Sequence, residues 1–234
     1  VIPLQDDNPT ERTPVVTIAF IAFCALVFLY QASLPDKLGE LFVFQYGAIP
    51  AVVFGQADLP AQAIAIPAYA TLLTSMFLHG GWMHLIGNML YLWIFGNNIE
   101  DVMGHAKYVV FYVTCGIIAA LSHAMTDPSS SIPMVGASGA ISGVLGAYVL
   151  LFPHAQVLVL MPGLGMTRVS ASIVLGMWFV MQVLSGGMSL GGTGGGVAFF
   201  AHIGGFLGGM ALIGFFKRPE IPFLAPGRNH RWDA

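Results

Sequence analysis

Gly136-Ala137-Ser138-Gly139-Ala140-Ile141-Ser142-Gly143 is the stretch on which the reading of this chain turns. It follows the polar loop Asp127-Pro128-Ser129-Ser130-Ser131 and runs, uncharged, into the apolar segment Val144 to Phe152. A serine between small residues at the start of an apolar helix lets another backbone come close. The first-turn N–H groups of that helix lack intrahelical partners and point at whatever lies beside the hydroxyl. A nucleophile with an oxyanion site is built that way. The plainer reading is that Gly139, Gly143 and Gly146 form a small-residue packing face and Ser138 caps the helix. A histidine further along, His202, tips the balance toward chemistry.

Composition fixes the solvent of this helix. Of 234 residues, 56% are hydrophobic and 8% charged, with a mean hydropathy of +0.79. Soluble domains carry about 25% charged residues, so an integral membrane protein is expected. A net charge of −3 gives no reason to expect a nucleic-acid partner. The two cysteines, Cys24 and Cys115, each sit in an apolar run and read as small hydrophobes. Residues 1–13 are polar and acidic, so the first span is expected to serve as its own targeting signal.

Six spans are legible. Span 1 holds the run Val15–Tyr30, span 2 covers about 82–99 and span 3 about 106–124. Span 4 starts at Ser138 and stops at Pro153. Spans 5 and 6 cover about 169–187 and 197–216. Residues 35–70 mix charges with apolar clusters and read as a segment lying on the membrane surface. A short helix is expected at about 69–79. The expected fold is an all-α, polytopic bundle of six transmembrane helices. Residues 1–13 would form an N-terminal segment, 14–217 the core and 218–234 a C-terminal tail. With both termini inside, Arg12, Lys107, Arg168, Lys217, Arg218, Arg228 and Arg231 are cytoplasmic and only Lys37 is outside. A multi-pass protein of the bacterial cytoplasmic membrane is expected.

The polar residues share a depth. Span 4 runs inward, and with Pro153 at the inner face Ser138 lies about 8 Å below the outer one. His202, in the inward-running span 6, lies roughly 7 Å down. Span 2 runs inward too, with His84 in its first turn and Asn88 one turn lower on the same face. Ionisable groups at such depth tend to be functional; a lone intramembrane His or Asn is otherwise interhelical glue. No metal is expected, since His79 and His84 lack the spacing and the intervening Glu of a helical zinc motif. No Asp or Glu occurs between Asp127 and Glu220, so Ser138 and His202 would act as a dyad.

Three motifs carry a resemblance: His79-Gly80-Gly81-Trp82-Met83-His84-Leu85-Ile86-Gly87-Asn88, Gly136-Ala137-Ser138-Gly139, and Ala201-His202-Ile203-Gly204-Gly205-Phe206-Leu207-Gly208-Gly209. In order and spacing they resemble the HxxxxHxxxN, GxSG and AHxxGxxxG patterns of the rhomboid family of intramembrane serine proteases. The resemblance covers about residues 14–217. It implies that Ser138 is the nucleophile and His202 the general base. It further implies that His84, Asn88 and the Ser138 N–H form the oxyanion hole. Gly205 and Gly209 would pack span 6 closely on span 4, against the face of Gly139 and Gly143. No cofactor is implied. The implied partners are the lipid bilayer and single-pass membrane substrates with small residues at the cut. Residues 188–197 would be a cap over the site. Two positions depart from the family pattern. The Trp-Arg pair of many members is Ala70-Thr71 here, and the position four after the nucleophile, aromatic in some members, is Ser142. The alternatives are a transporter, for which the spans lack charged residues and inverted repeats, and a catalytically inactive rhomboid-like protein that binds transmembrane helices.

Overall fold

The computed structural model describes residues 2–163, 165–189 and 198–225. A helix stands at each of the six places where the apolar runs predict one. These are α1 (Val15–Ser33), α5 (Trp82–Met103), α6 (His105–Ala124), α7 (Ser138–Leu151), α8 (Ala171–Ser189) and α9 (Phe199–Phe216). Between α1 and α5 come α2 (Asp36–Tyr46) and two single turns, α3 (Pro50–Val53) and α4 (Thr71–Thr74). By length and composition α1, α6, α8 and α9 can each cross a membrane; α5 qualifies together with the segment before it, from which it bends by 79°. The remaining helix, α7, has 14 residues, about 21 Å of rise, and is sheathed by its neighbours rather than by lipid. From Gly139 to Tyr148 every one of its residues is buried. The chain is a multi-pass membrane protein, predominantly helical.

One part of the fold is not helical. Strands β1 (Ile2–Asp6), β2 (Gln156–Met161) and β3 (Gly165–Ser170) form an antiparallel sheet in the order β1-β2-β3. The apolar run Val157 to Met161 lies between Pro153 and the turn Pro162-Gly163, where no helix can continue. Its strand partner β1 lies in residues 1–13, expected only to be a polar N-terminal segment. Span 5 accordingly begins at Ala171, because Arg168, Val169 and Ser170 complete β3. The sheet sits at the end of α7 opposite Ser138.

Carboxylates near the end of α5 tie this face together. Helix α1 follows Pro14, which offers no side-chain cap, so its first N–H groups need outside acceptors. Glu100, buried in α5, supplies them: its carboxylate accepts from the backbone N–H of Val16 (2.8 Å) and Thr17 (2.8 Å) and from the Thr17 hydroxyl (2.7 Å). An anion at a helix N-terminus is also favoured by the helix dipole. Asp101 accepts from the Glu11 N–H at 3.0 Å. Asp6, ending β1, accepts from the Tyr148 hydroxyl of α7 (2.6 Å) and the Asn98 amide of α5 (3.0 Å). Burial pushes the Asp6 carboxyl up to about 6, although the Tyr148 hydrogen bond works the other way. The carbonyls at the end of α7 are closed by the tail, where Leu224 and Ala225 donate to Leu150 and Leu151.

The core is built on the closest helix pair, α7 and α9. A Cβ added at Gly205 would overlap the carbonyl oxygen of Gly139, and one at Gly209 the carbonyl oxygen of Gly143. On its other side α7 meets α6, where a Cβ on Gly143 would lie 2.5 Å from that of Cys115. In a membrane, without a hydrophobic drive between helices, close backbone contact of this kind supplies the packing energy.

Candidate active site

Ser138 is the first residue of α7, so its N–H and those of Gly139 and Ala140 precede the helical ladder; the first bond of that ladder runs from Ile141 to Ala137. The residue two before it, Gly136, has φ +129° and donates its N–H to Ser75 at 2.8 Å. That backbone conformation belongs to glycine. Space demands glycine there as well, since a Cβ would lie 2.8 Å from His84 Nε2 and 3.7 Å from Asn88 Nδ2.

His202 comes from α9, 64 residues on in sequence. Its Nε2 lies 2.8 Å from the Ser138 hydroxyl oxygen, and its Nδ1 lies 2.8 Å from the side-chain carbonyl oxygen of Gln182 on α8. A carbonyl can only accept, so the proton sits on Nδ1 and Nε2 presents a lone pair to the Ser138 O–H. The indole of Trp178, one turn before Gln182, lies against the imidazole at 5.8 Å between ring centres and 37° between planes. Ser142 is turned away, donating to the Ser138 carbonyl at 2.6 Å.

The tautomer of His84 is fixed in the opposite sense. Its Nδ1 accepts from the Gly80 N–H at 3.2 Å, which leaves the proton on Nε2. That Nε2–H faces the space beside Gly136. Asn88 is buried, and its Nδ2 has no hydrogen-bond partner among the described residues. Two donors with no acceptor among the described residues thus converge beside Gly136, two residues before Ser138. All four side chains line one cavity of about 1110 Å³.

The glycines of the closest helix contact set this distance, because Ser138 adjoins Gly139, which meets Gly205 three residues after His202. His79 lies outside the cluster: it is fully buried, with its ring edge against His84 and its carbonyl accepting from Gln31 at 3.0 Å. Residues 188–197, expected to cap the site, lie mostly outside the described residues. Sequence reasoning missed Gln182 and the Gly80 N–H. A polar residue in span 5 was the visible signal for the first.

A rhomboid-domain family model matches residues 67–219, more than half of the chain. The chain belongs to the rhomboid family. Three curated relatives are similar to this rhomboid. The rhomboid protease GluP of Bacillus subtilis is 30% identical over 228 residues, covering 94% of this chain and 39% of that protein. RHOMBOID-like protein 5 of Arabidopsis thaliana is 31% identical over 157 residues, 66% of this chain and 47% of the relative. The mitochondrial Rhomboid protein 1 of Saccharomyces cerevisiae is 30% identical over 146 residues, 56% of this chain and 41% of the relative. The chain therefore spans less than half the length of these relatives.

Proposed function

We propose that this rhomboid is an intramembrane serine endopeptidase that cleaves peptide bonds in or near transmembrane segments of single-pass proteins. The observation that supports this best is the 2.8 Å approach of His202 Nε2 to the Ser138 hydroxyl at a helix N-terminus, with His84 and Asn88 facing Gly136 in the same cavity and offering donors that have no acceptor among the described residues. The similarity to GluP, a rhomboid protease, points the same way.

In this reading His202 Nε2 takes the Ser138 proton as Oγ bonds to the scissile carbonyl carbon. The carbonyl oxygen becomes negative in the space beside Gly136, where His84 Nε2–H, Asn88 Nδ2–H and the Ser138 N–H are donors already in place. Preorganised donors of this kind are worth most where water is excluded. The C–N bond then breaks, and the imidazolium gives its proton to the leaving amine. Water, deprotonated by His202, attacks the acyl carbon and frees Ser138. The substrate helix has to unwind first, because its carbonyls are engaged along the helix. With both termini cytoplasmic, the site lies near the outer face of the membrane.

A serine-directed fluorophosphonate tests the reading in detergent. It is expected to label Ser138, with labelling lost in Ser138→Ala and in His202→Ala. An unlabelled wild-type protein that still holds transmembrane helices would leave the inactive, helix-binding alternative.

A further inference from the structure

Spans 4, 5 and 6 offer no carboxylate to steer His202, and no aromatic ring stands at Ser142 to stack on it. We propose that Gln182 is the positioning residue for His202, its side-chain carbonyl holding the imidazole in the one tautomer able to accept the Ser138 proton. The proposal rests on the reading of Ser138 as nucleophile and adds a third member to that pair.

Three observations on α8 carry it. The Gln182 Oε1 stands 2.8 Å from His202 Nδ1 while Nε2 stands 2.8 Å from Ser138 Oγ, so the ring is gripped at both nitrogens. Trp178, four residues before Gln182 and so on the same helical face, lies beside the ring, tilted 37° from its plane at 5.8 Å between centres. Gly186, four residues after it, admits α9 closely: a Cβ there would lie 3.3 Å from that of Phe199 and 3.5 Å from Ile203 Cδ1. Trp178, Gln182 and Gly186 therefore form one stripe of α8 that seats the N-terminal half of α9. Gln182 lies at its centre, where the ring edge is.

The chemistry follows from what an amide oxygen is able to do. It accepts and never donates, so it selects Nδ1–H and leaves the lone pair on Nε2. Without it the imidazole samples the other tautomer, in which Nε2–H would donate to Ser138 and the hydroxyl would not be activated. A group that holds a catalytic histidine in its working tautomer can be worth up to about 10⁴ in kcat. A neutral amide adjoining an imidazolium stabilises it less than a carboxylate does, so a smaller effect is expected here.

The test uses the full chain in proteoliposomes with a single-pass substrate, and two substitutions of similar length. Gln182→Met removes the acceptor; Gln182→Glu keeps one. Gln182→Met is expected to lower kcat by roughly 10- to 1000-fold with KM within about twofold. Gln182→Glu is expected to recover most of that loss. Nitrogen-15 spectra of the histidine rings, with His202 assigned by its loss in His202→Ala, should show Nδ1–H in the wild type and a tautomer mixture in Gln182→Met. Wild-type kcat in Gln182→Met overturns the proposal. So does a loss of kcat in which the His202 tautomer stays unchanged and thermal stability falls in step, which would mark Gln182 as packing. If the wild type and Ser138→Ala are equally inert, the protease reading fails. The ring spectra then still decide whether Gln182 sets the tautomer.

Discussion

Gly209 of α9 faces Gly143 of α7 so closely that a single added carbon would run into the Gly143 carbonyl oxygen. The obstacle is backbone, which cannot rotate away as a side chain can. One turn earlier Gly205 meets Gly139 in the same manner, and Gly139 adjoins Ser138. The packing of two helices and the distance between two reacting groups are thus one geometric fact.

Substituting at this contact should harm stability and activity together. Gly209→Val and Gly205→Val are each expected to cost about 3 kcal/mol or more, read as a lower melting temperature in detergent, and to remove proteolysis. Gly208→Ala is the control. Its Cβ would meet the Ile118 side chain at 3.2 Å, a side chain where the other two meet backbone, so a far smaller loss is expected. A stable, active Gly209→Val protein would contradict the packing account.

His84 and Asn88 should matter to rate and not to folding. Each offers a donor toward the space beside Gly136 without a described acceptor there. His84→Ala and Asn88→Ala are each expected to lower kcat by about 10- to 1000-fold with melting temperature nearly unchanged. Loss of stability in step with rate would mark them as interhelical glue.

Glu100 predicts the reverse pattern. Its buried carboxylate closes the first turn of α1 through two N–H groups and a hydroxyl. A glutamine side chain in its place would turn an NH₂ toward donors, so Glu100→Gln should destabilise by about 2–4 kcal/mol. Thermal unfolding in detergent checks this, and an unchanged midpoint would rule out the cap.

Asp6 predicts a pH dependence with a definite sign. Its carboxyl is held at about 6 in the folded protein against an ordinary value of 3.8, so between these values the folded state keeps a proton that the unfolded state has lost. Stability from this group is therefore complete below about pH 4 and is lost as pH rises through about 6, by roughly 1–3 kcal/mol. Asp6→Asn keeps an acceptor for Tyr148 and Asn98 and should remove the difference. Its melting temperature is expected to match the wild type near about pH 4 and to exceed it at about pH 7. Equal curves across that range would contradict the assignment.

The sequence made the helices plain because uncharged runs of apolar residues, cut by Pro and Gly, have few other uses. It hid the sheet for a physical reason. The run Val157 to Met161 is short and apolar throughout, so its period does not separate strand from helix. Its partner Ile2 to Asp6 lies about 150 residues away in the chain. Ser138, His202, His84 and Asn88 were legible as a set because a turn count places them at one depth. Gln182 was not, since depth alone does not say which way a side chain in α8 faces, and that direction depends on how α8 seats against α9. Gly80 lies within the motif that begins at His79, but nothing in its lack of a side chain announces that its N–H fixes a tautomer.

The central claim is that Ser138 and His202 act as one unit in cutting a membrane-embedded peptide bond. It is tested most directly by cleavage of a reconstituted single-pass substrate with wild type, Ser138→Ala, His202→Ala and the double variant. Cleavage by the wild type is expected, with a loss of several orders of magnitude in either single variant and little further loss in the double, as for groups that work together. Losses that multiply independently in the double variant, or cleavage that survives Ser138→Ala, would contradict it.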